Sequence, residues 1–434
     1  MASVDAVLTD DFKPTPYWWE AAPREPIVAQ TLPASCDVAI VGAGYTGLAA
    51  ALLLARAGRR VVVIEAETAG HGASSRNAGF IGRTFKTSFS ALLESHGANY
   101  AIAVYRELQL AFDTVVGLIQ QEGIECGWRR CGRYIAAVSP GHYESIAATV
   151  AAKHKHLGDP YEMVPREQQH REIGSGIYHG GAVVPDLGSL HPGLYHAGLL
   201  DRARSSGAQI VTGTRVTSIR GETRGFGLAT TRGPIFARDV FVATNGYTDR
   251  ASPWLRRRIV PFRGYMMATE PLSSEILERL LPQDRTIHDW NHNLNYMRHS
   301  PDGTRILMGG RTGSSERDLA RMARRLHKHY RTIFPDLENI RIGHCWSGYC
   351  AGTFDLWPHL GTQDGVHYAL GYCFAGVPMG TYLGCKAALR ILGRPEAETV
   401  FADRDFPTIP LYRGGGWFMP LVAAWYDVQD RHHR

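Results

Sequence analysis

The sequence predicts an α/β chain, α+β overall, in which a parallel sheet wrapped by helices is joined to a second domain built on a large mixed or antiparallel sheet. Three observations predict it. Two short, continuous apolar runs, Val38-Ala39-Ile40-Val41 and Val61-Val62-Val63-Ile64, read as strands buried on both faces. Between them an Ala- and Leu-rich stretch, Leu48 to Ala57, reads as a helix that stops at Gly58. Residues 258–312, by contrast, alternate apolar and polar positions between turns, as antiparallel strands do.

The elements follow in order. Residues 1–35 carry Pro14, Pro16, Pro23, Pro26 and Pro33 and read as an extended arm, anchored by Tyr17, Trp18 and Trp19. Residues 37–66 form the first βαβ unit. Residues 95–122 have helical periodicity and few breakers, and 140–157 suggest another helix. A helix at 193–206 leads into short strands near 208–220 and 225–230, and Asp239 to Thr244 is a further buried strand ending at Asn245-Gly246. Residues 314–333 are helical and highly charged, and a last helix covers 379–392. The expected division is a discontinuous nucleotide-binding domain of residues 1–95, 160–250 and 341–434, with 96–159 and 251–340 forming the second domain. The apolar tail from Trp417 to Tyr426 is expected to pack against the body.

Composition narrows the function classes. The 434 residues suffice for two or three domains, and 44% hydrophobic with 20% charged residues is ordinary for a soluble globular protein. The formal charge is +6, but the cationic side chains are scattered, which argues against a nucleic-acid surface. Lysine occurs only at 13, 86, 153, 155, 328 and 386. Seven cysteines at irregular spacing make neither a disulfide framework nor a zinc motif. Asp289, Asn291, Asn293 and Asn295 read as a polar turn, and no metal site is expected. No run reaches the roughly 20 apolar residues of a transmembrane segment, and no signal peptide is seen, so a cytoplasmic protein is expected.

Gly42-Ala43-Gly44-Tyr45-Thr46-Gly47 matches the dinucleotide fingerprint, and its position between a strand and a helix makes the match specific. Gly42 permits the tight turn, Gly44 admits a pyrophosphate to the backbone, and Gly47 lets helix and strand pack closely. The helix start, with Tyr45 and Thr46, offers free N–H groups to phosphate. Glu65, followed by Ala66, ends the second strand where an acid binds ribose hydroxyls and repels a 2′-phosphate. This is a Rossmann-type unit.

The fingerprint is followed by Gly70-His71-Gly72-Ala73-Ser74-Ser75-Arg76-Asn77-Ala78-Gly79. The pair resembles the FAD-binding N-terminus of the D-amino acid oxidase-like superfamily, most closely the branch that includes γ-glutamylputrescine oxidase. Leu190-His191-Pro192-Gly193, Ala243 to Tyr247, Tyr265 to Leu272, Gly309-Gly310-Arg311, Trp346 to Gly361 and Gly371 to Gly380 resemble later segments of that family in the same order. The resemblance implies FAD bound by Gly72 to Gly79, by Thr244, Asn245 and Gly246, and by Gly371, Gly376, Val377, Pro378, Met379 and Gly380, with Val216 meeting the adenine. Monomeric sarcosine oxidase, a relative, joins its flavin to a cysteine; Gly348 occupies that register here and Cys350 lies two residues off, so non-covalent FAD is expected.

The resemblance further implies oxidation of a small primary or secondary amine, one that can carry a carboxylate, to an imine, with oxygen or an electron carrier as acceptor. The substrate residues it suggests are Tyr265, Tyr296, Arg298 and Arg311, with Trp346 over the pocket. Monomeric sarcosine oxidase also uses a lysine to promote reaction with oxygen; no lysine falls in 258–312 here, so either Arg263 supplies the charge or oxygen is not the electron acceptor. A flavoprotein acting on another substrate, and a non-enzymatic FAD-binding subunit, remain open at this level.

Overall fold

The residues of the two apolar runs, from Val38 to Ile40 and from Val61 to Ile64, are at most 3% exposed. In the computed structural model, which describes residues 7–27, 30–310 and 312–432, they form the centre of an eight-stranded sheet. Ser35–Val41 lies parallel to Val61–Ile64, with Val38 opposite Val61 and Val41 opposite Ile64. Gln209–Val211 extends this parallel core on one side and Gly233–Val242 on the other. The hairpin strands Val216–Glu222 and Gly225–Thr230 continue the sheet, and His359–Gln363 with Val366–Leu370 joins at the end of Gly233–Val242. The helices Tyr45–Arg56, Ala98–Gln121 and Gly376–Ile391 contribute to one apolar core against this sheet. Ala98–Gln121 does so through Ala101, Val104, Tyr105, Leu108, Phe112 and Val115, the spacing of one helical face.

A second, nine-stranded sheet runs in the order Leu8–Lys13, Ile342–Gly352, Val260–Thr269, Ile306–Gly310, Tyr296–His299, Thr286–Asp289, Arg133–Ala136, Gly181–Val184, Glu162–Val164. Its centre is antiparallel, as the alternation over 258–312 predicts, with Val260–Thr269 paired to both of its neighbours. Two details differ. Ser274–Leu280 is a helix, started by Ser273, whose side chain accepts from Ile276 N–H. Thr286–Asp289 runs parallel to Arg133–Ala136, a strand that lies outside the 258–312 stretch.

Sheet membership also departs from the expected division. Leu8–Lys13, within the stretch read as an extended arm, is a strand of the nine-stranded sheet, parallel to Ile342–Gly352. Glu162–Val164 and Gly181–Val184 belong to that same sheet, although they fall in the stretch 160–250 expected on the nucleotide side. These strands are only three or four residues long, too short to declare their partners by periodicity.

Two further helices bear on the site. Pro140–Leu157 starts at Ser139, whose side chain accepts from His142 N–H, takes Pro140 in its first turn, and ends at Gly158 with φ 77°. Met419–His432 forms from the apolar tail. It packs only in part, since Trp417, just before it, and Leu421 and Trp425 are 77%, 70% and 59% exposed. Among the described residues no helix is long and apolar enough to cross a membrane.

Candidate active site

The fingerprint turn is shaped by close approach. Gly42 has φ +106°, which favours glycine, and its N–H donates to Ile64 O at 2.9 Å. A Cβ on Gly47 would stand 2.0 Å from Gly42 O, and one on Gly44 would stand 2.9 Å from Ser74 Oγ. Ser74 Oγ accepts from Tyr45 N–H at 3.0 Å and so ties residues 70–79 to the first turn of the Tyr45–Arg56 helix. Glu65 accepts from Ala43 N–H at 2.9 Å and from Glu67 N–H at 3.0 Å. Burial pushes its carboxyl upward, against those hydrogen bonds.

Residues 70–79 divide their labour. Gly72, Ala73, Ser74, Asn77 and Ala78 face a cavity of about 1150 Å3 that Gly42, Gly44, Tyr45, Thr46, Glu65 and Ala66 also line. Ser75, Arg76 and Gly79 do not line it; they hold the loop. Ser75 Oγ donates to Gly70 O and accepts from Trp19 Nε1. Arg76 donates to His71 O at 2.7 Å and Ser347 O at 3.0 Å and lies over the Trp19 ring. Its guanidinium is bonded to the protein's own carbonyls. Gly79 N–H donates to Asn77 Oδ1.

The remaining expected cofactor residues converge on the same space. Val216, Thr244 and Asn245 line the cavity, and Asn245 Oδ1 accepts from Gly371 N–H at 2.9 Å. Gly376, Val377 and Pro378 line it from the first turn of the Gly376–Ile391 helix, which begins three residues before the predicted 379. No side chain caps that helix start, so its first N–H groups are available to an acceptor. Cys373 and Phe374, just before it, carry positive φ. Gly47, Gly246, Gly371, Met379 and Gly380 lie behind the wall and serve packing: a Cβ on Gly246 would meet Cys350 O, and one on Gly380 would meet Thr46 Oγ1.

The nine-stranded sheet closes the other part of the cavity, and most of the expected substrate residues are not in it. Tyr296 lines the cavity, with its hydroxyl donating to Tyr265 O. Tyr265 is fully buried and donates to Ser314 O and Glu316 O. Arg298, 2% exposed, donates to Leu190 O at 2.8 Å and to His299 O at 3.0 Å. Trp346 is fully buried against Trp18 and donates to Arg76 O, so it braces the loop and does not cap the pocket. Arg263 donates to the Tyr349 hydroxyl and does not reach the cavity wall. Arg311 lies outside the described residues. The described positions among these share a sheet with the wall, but their side chains bond to the protein itself.

Among the polar side chains that line this part are Arg83, Lys86, Arg133, Lys153 and His288, with Asp159. None was singled out from sequence. The usable signal was the scarcity of lysine, since two of six face one cavity. Helical spacing was a second signal: Ile146, Thr149, Val150 and Lys153 form one stripe of the Pro140–Leu157 helix toward the cavity. His288 is drawn down to about 4, by burial first and then by Arg133, Lys86 and Lys153, so it is neutral. Asp289 accepts from the N–H and side-chain amide of both Asn291 and Asn295, which makes this segment a polar turn.

Comparison with known proteins agrees with this geometry. A family model described as FAD dependent oxidoreductase matches residues 37–388. A probable oxidoreductase OrdL of Rhizobium meliloti is 30% identical over 429 residues, covering 95% of this chain and 97% of its own. Gamma-glutamylputrescine oxidoreductase of Escherichia coli is 29% identical over 402 residues, covering 92% and 93%. The crystal structure of glycine oxidase from Geobacillus kaustophilus superposes with a TM-score of 0.73 at 24% identity, covering 87% of this chain and 99% of that one, which shows a shared fold. The cavity fits FAD: a glycine cradle at the helix start, an acid at the second strand end, and a volume above the roughly 300–1,000 Å3 of ordinary ligand pockets. The chain belongs to the FAD-dependent oxidoreductase family.

Proposed function

We propose that the protein oxidises a small primary or secondary amine to an imine, which water then hydrolyses. One observation carries this reading: a single cavity is lined both by the dinucleotide fingerprint and by the aromatic and cationic wall of the nine-stranded sheet. Bound FAD supplies the hydride acceptor at its N5 atom. The chain's own part is to hold the amine, keep it neutral and exclude water. Phe80, Phe262 and Tyr296 provide apolar wall. Lys86, Arg133 and Lys153 disfavour a further positive charge beside them and so favour the neutral amine. His288, already neutral, is not a strong base. Relatives named gamma-glutamylputrescine oxidoreductase and glycine oxidase support the class of substrate.

Anaerobic mixing of the purified holoenzyme with a panel of amines and amino acids tests this. Bleaching of the oxidised flavin band by one of them is the expected result, and readmitted air then distinguishes oxygen from another acceptor. If no amine bleaches a flavin that dithionite does reduce, the reading fails in favour of a non-amine substrate or a non-enzymatic role.

The FAD of this reading is not covalently attached. Gly348 carries no thiol, and the Cys350 thiol, which lines the cavity, is pushed up to about 12 by burial and by Cys373, so it stays protonated and weakly nucleophilic. Acid precipitation is expected to leave the flavin in the supernatant; a yellow pellet would refute the assignment.

A further inference from the structure

The Met419–His432 helix is covered on one side only. Met419, Val422, Ala423 and Tyr426 face the cavity, and Asp427 and Asp430 turn toward residues 292 and 293. The other side carries exposed Leu421, Trp425 and Val428, with exposed Trp417 just before the helix. Their spacing of four, four and three residues sets them in one stripe. The loop that holds Leu411, 94% exposed, lies beside that stripe, since the Tyr412 and Phe418 rings are 6.0 Å apart. Single exposed apolar side chains are ordinary, but a continuous set on one face marks an interaction surface. The charges around it are of one sign. Between Asp405 and Asp427 the sequence holds no acidic residue, and Arg413 is its single cation. Arg256 packs on Gly414, where a Cβ would stand 2.8 Å from its Nε, and exposed Arg257 follows it. Among the described residues Arg256, Arg257 and Arg413 form no ion pair.

We propose that this face docks the protein peripherally on an anionic lipid surface. Each part of it has a place there. Trp417 and Trp425 suit the headgroup level, where an indole keeps its N–H wet and its ring apolar. Leu411, Leu421 and Val428 enter the boundary with the acyl chains. Arg256, Arg257 and Arg413 gain lipid phosphates as partners, each adding to the attraction. The helix has fourteen residues, too few to cross a bilayer, so it lies along the surface. A second copy of the chain fits this face less well. Two-fold packing would set the patch against itself and bring the same unpaired arginines together. Phe418, in ring contact with Trp417, lines the cavity, so the docked face borders the cavity rim.

Co-flotation of the holoenzyme with lipid vesicles tests this. Binding is expected to vesicles of phosphatidylcholine and phosphatidylglycerol in equal parts. It should be roughly tenfold weaker on phosphatidylcholine alone, or when salt is raised to about 0.5 M. Replacing both Trp417→Ser and Trp425→Ser should weaken it roughly tenfold to a hundredfold, while Trp417→Phe with Trp425→Phe should retain most of it. FAD content and melting temperature report whether these variants fold. Should the serine variant fail to fold, hydrogen exchange of the wild-type protein decides. Anionic vesicles should slow exchange across residues 417–428 and leave the Ala98–Gln121 helix unchanged. No flotation, flotation indifferent to phosphatidylglycerol, equal flotation of a folded serine variant, or unchanged exchange of 417–428 overturns the proposal. A dimer in gel filtration that the same serine substitutions abolish, with no flotation, overturns it in favour of a second copy on this face.

Discussion

Single residues in this protein act by contact more than by type. Gly44 shows it: its lack of a Cβ lets Ser74 Oγ reach Tyr45 N–H and joins two cofactor segments. Gly44→Val should therefore introduce strain of about 1–3 kcal/mol and weaken FAD binding roughly tenfold to a hundredfold. The ratio of flavin to protein absorbance after gel filtration measures this, and a fully flavinylated variant would remove Gly44 from the cofactor site. The arginines show the limit of reading type alone. Arg76 stood in a family-like segment and Arg263 and Arg298 in the predicted sheet, yet each guanidinium bonds to the protein's own backbone or to a tyrosine hydroxyl. Lys153 and Arg133 stood in no motif and reach the cavity. A sequence states which side chains can carry charge; the neighbours that consume that charge are distant in the chain.

At the level of elements, strong local periodicity was legible. Residues 95–122 and 140–157 match helices Ala98–Gln121 and Pro140–Leu157 within three residues. The last helix, Met419–His432, is held by a few specific contacts. Asp430 accepts from His292 N–H at 2.8 Å and Asn293 N–H at 3.0 Å, and Asp427 accepts from the Asn293 side chain. Met419, Val422, Ala423 and Tyr426 of this helix line the cavity, and Tyr426 stacks on His292. Asp430, 7% exposed, thus pins a cover whose outer face is apolar. Asp430→Ala should unpair two backbone donors at a cost of roughly 1.5–3 kcal/mol each and loosen the cover. Hydrogen exchange reads it directly: faster exchange of residues 290–294 and of the helix is expected, while unchanged protection would mean apolar packing alone holds it.

The whole molecule stores a pH dependence in its buried imidazoles. His191, His196 and His288 are each drawn down to about 4 by burial, against an unfolded value of about 6.5. Between these values the unfolded chain binds more protons. The stability these groups provide is therefore complete above about pH 6.5 and is lost as pH falls toward 4. Asp289, pushed up to about 6 by burial, binds its proton more readily when folded and offsets one of the three over part of that range. Melting temperature measured from pH 7.5 down to about 4.5 should fall, most steeply below pH 6.5, in holoprotein and apoprotein alike. A flat profile would mean that these histidines titrate normally in the fold.

The sequence by itself determined the nucleotide half of this protein. Its signals are local: a buried strand, a glycine turn, a helix start and an acid at the next strand end all lie within thirty residues, so their spacing implies their geometry. The alternation over 258–312 likewise announced a sheet. Only the tertiary structure decided the rest of the site. Strands of three or four residues carry too little periodicity to name their partners, so Glu162–Val164 and Gly181–Val184 joined a sheet that their positions did not announce, and Leu8–Lys13 joined it from a stretch read as an extended arm. The cavity wall on the side of the nine-stranded sheet is assembled from such pairings. Which cation meets a carboxylate, a carbonyl or open space is a matter of distance between segments far apart in the chain, and it is settled only when the core closes.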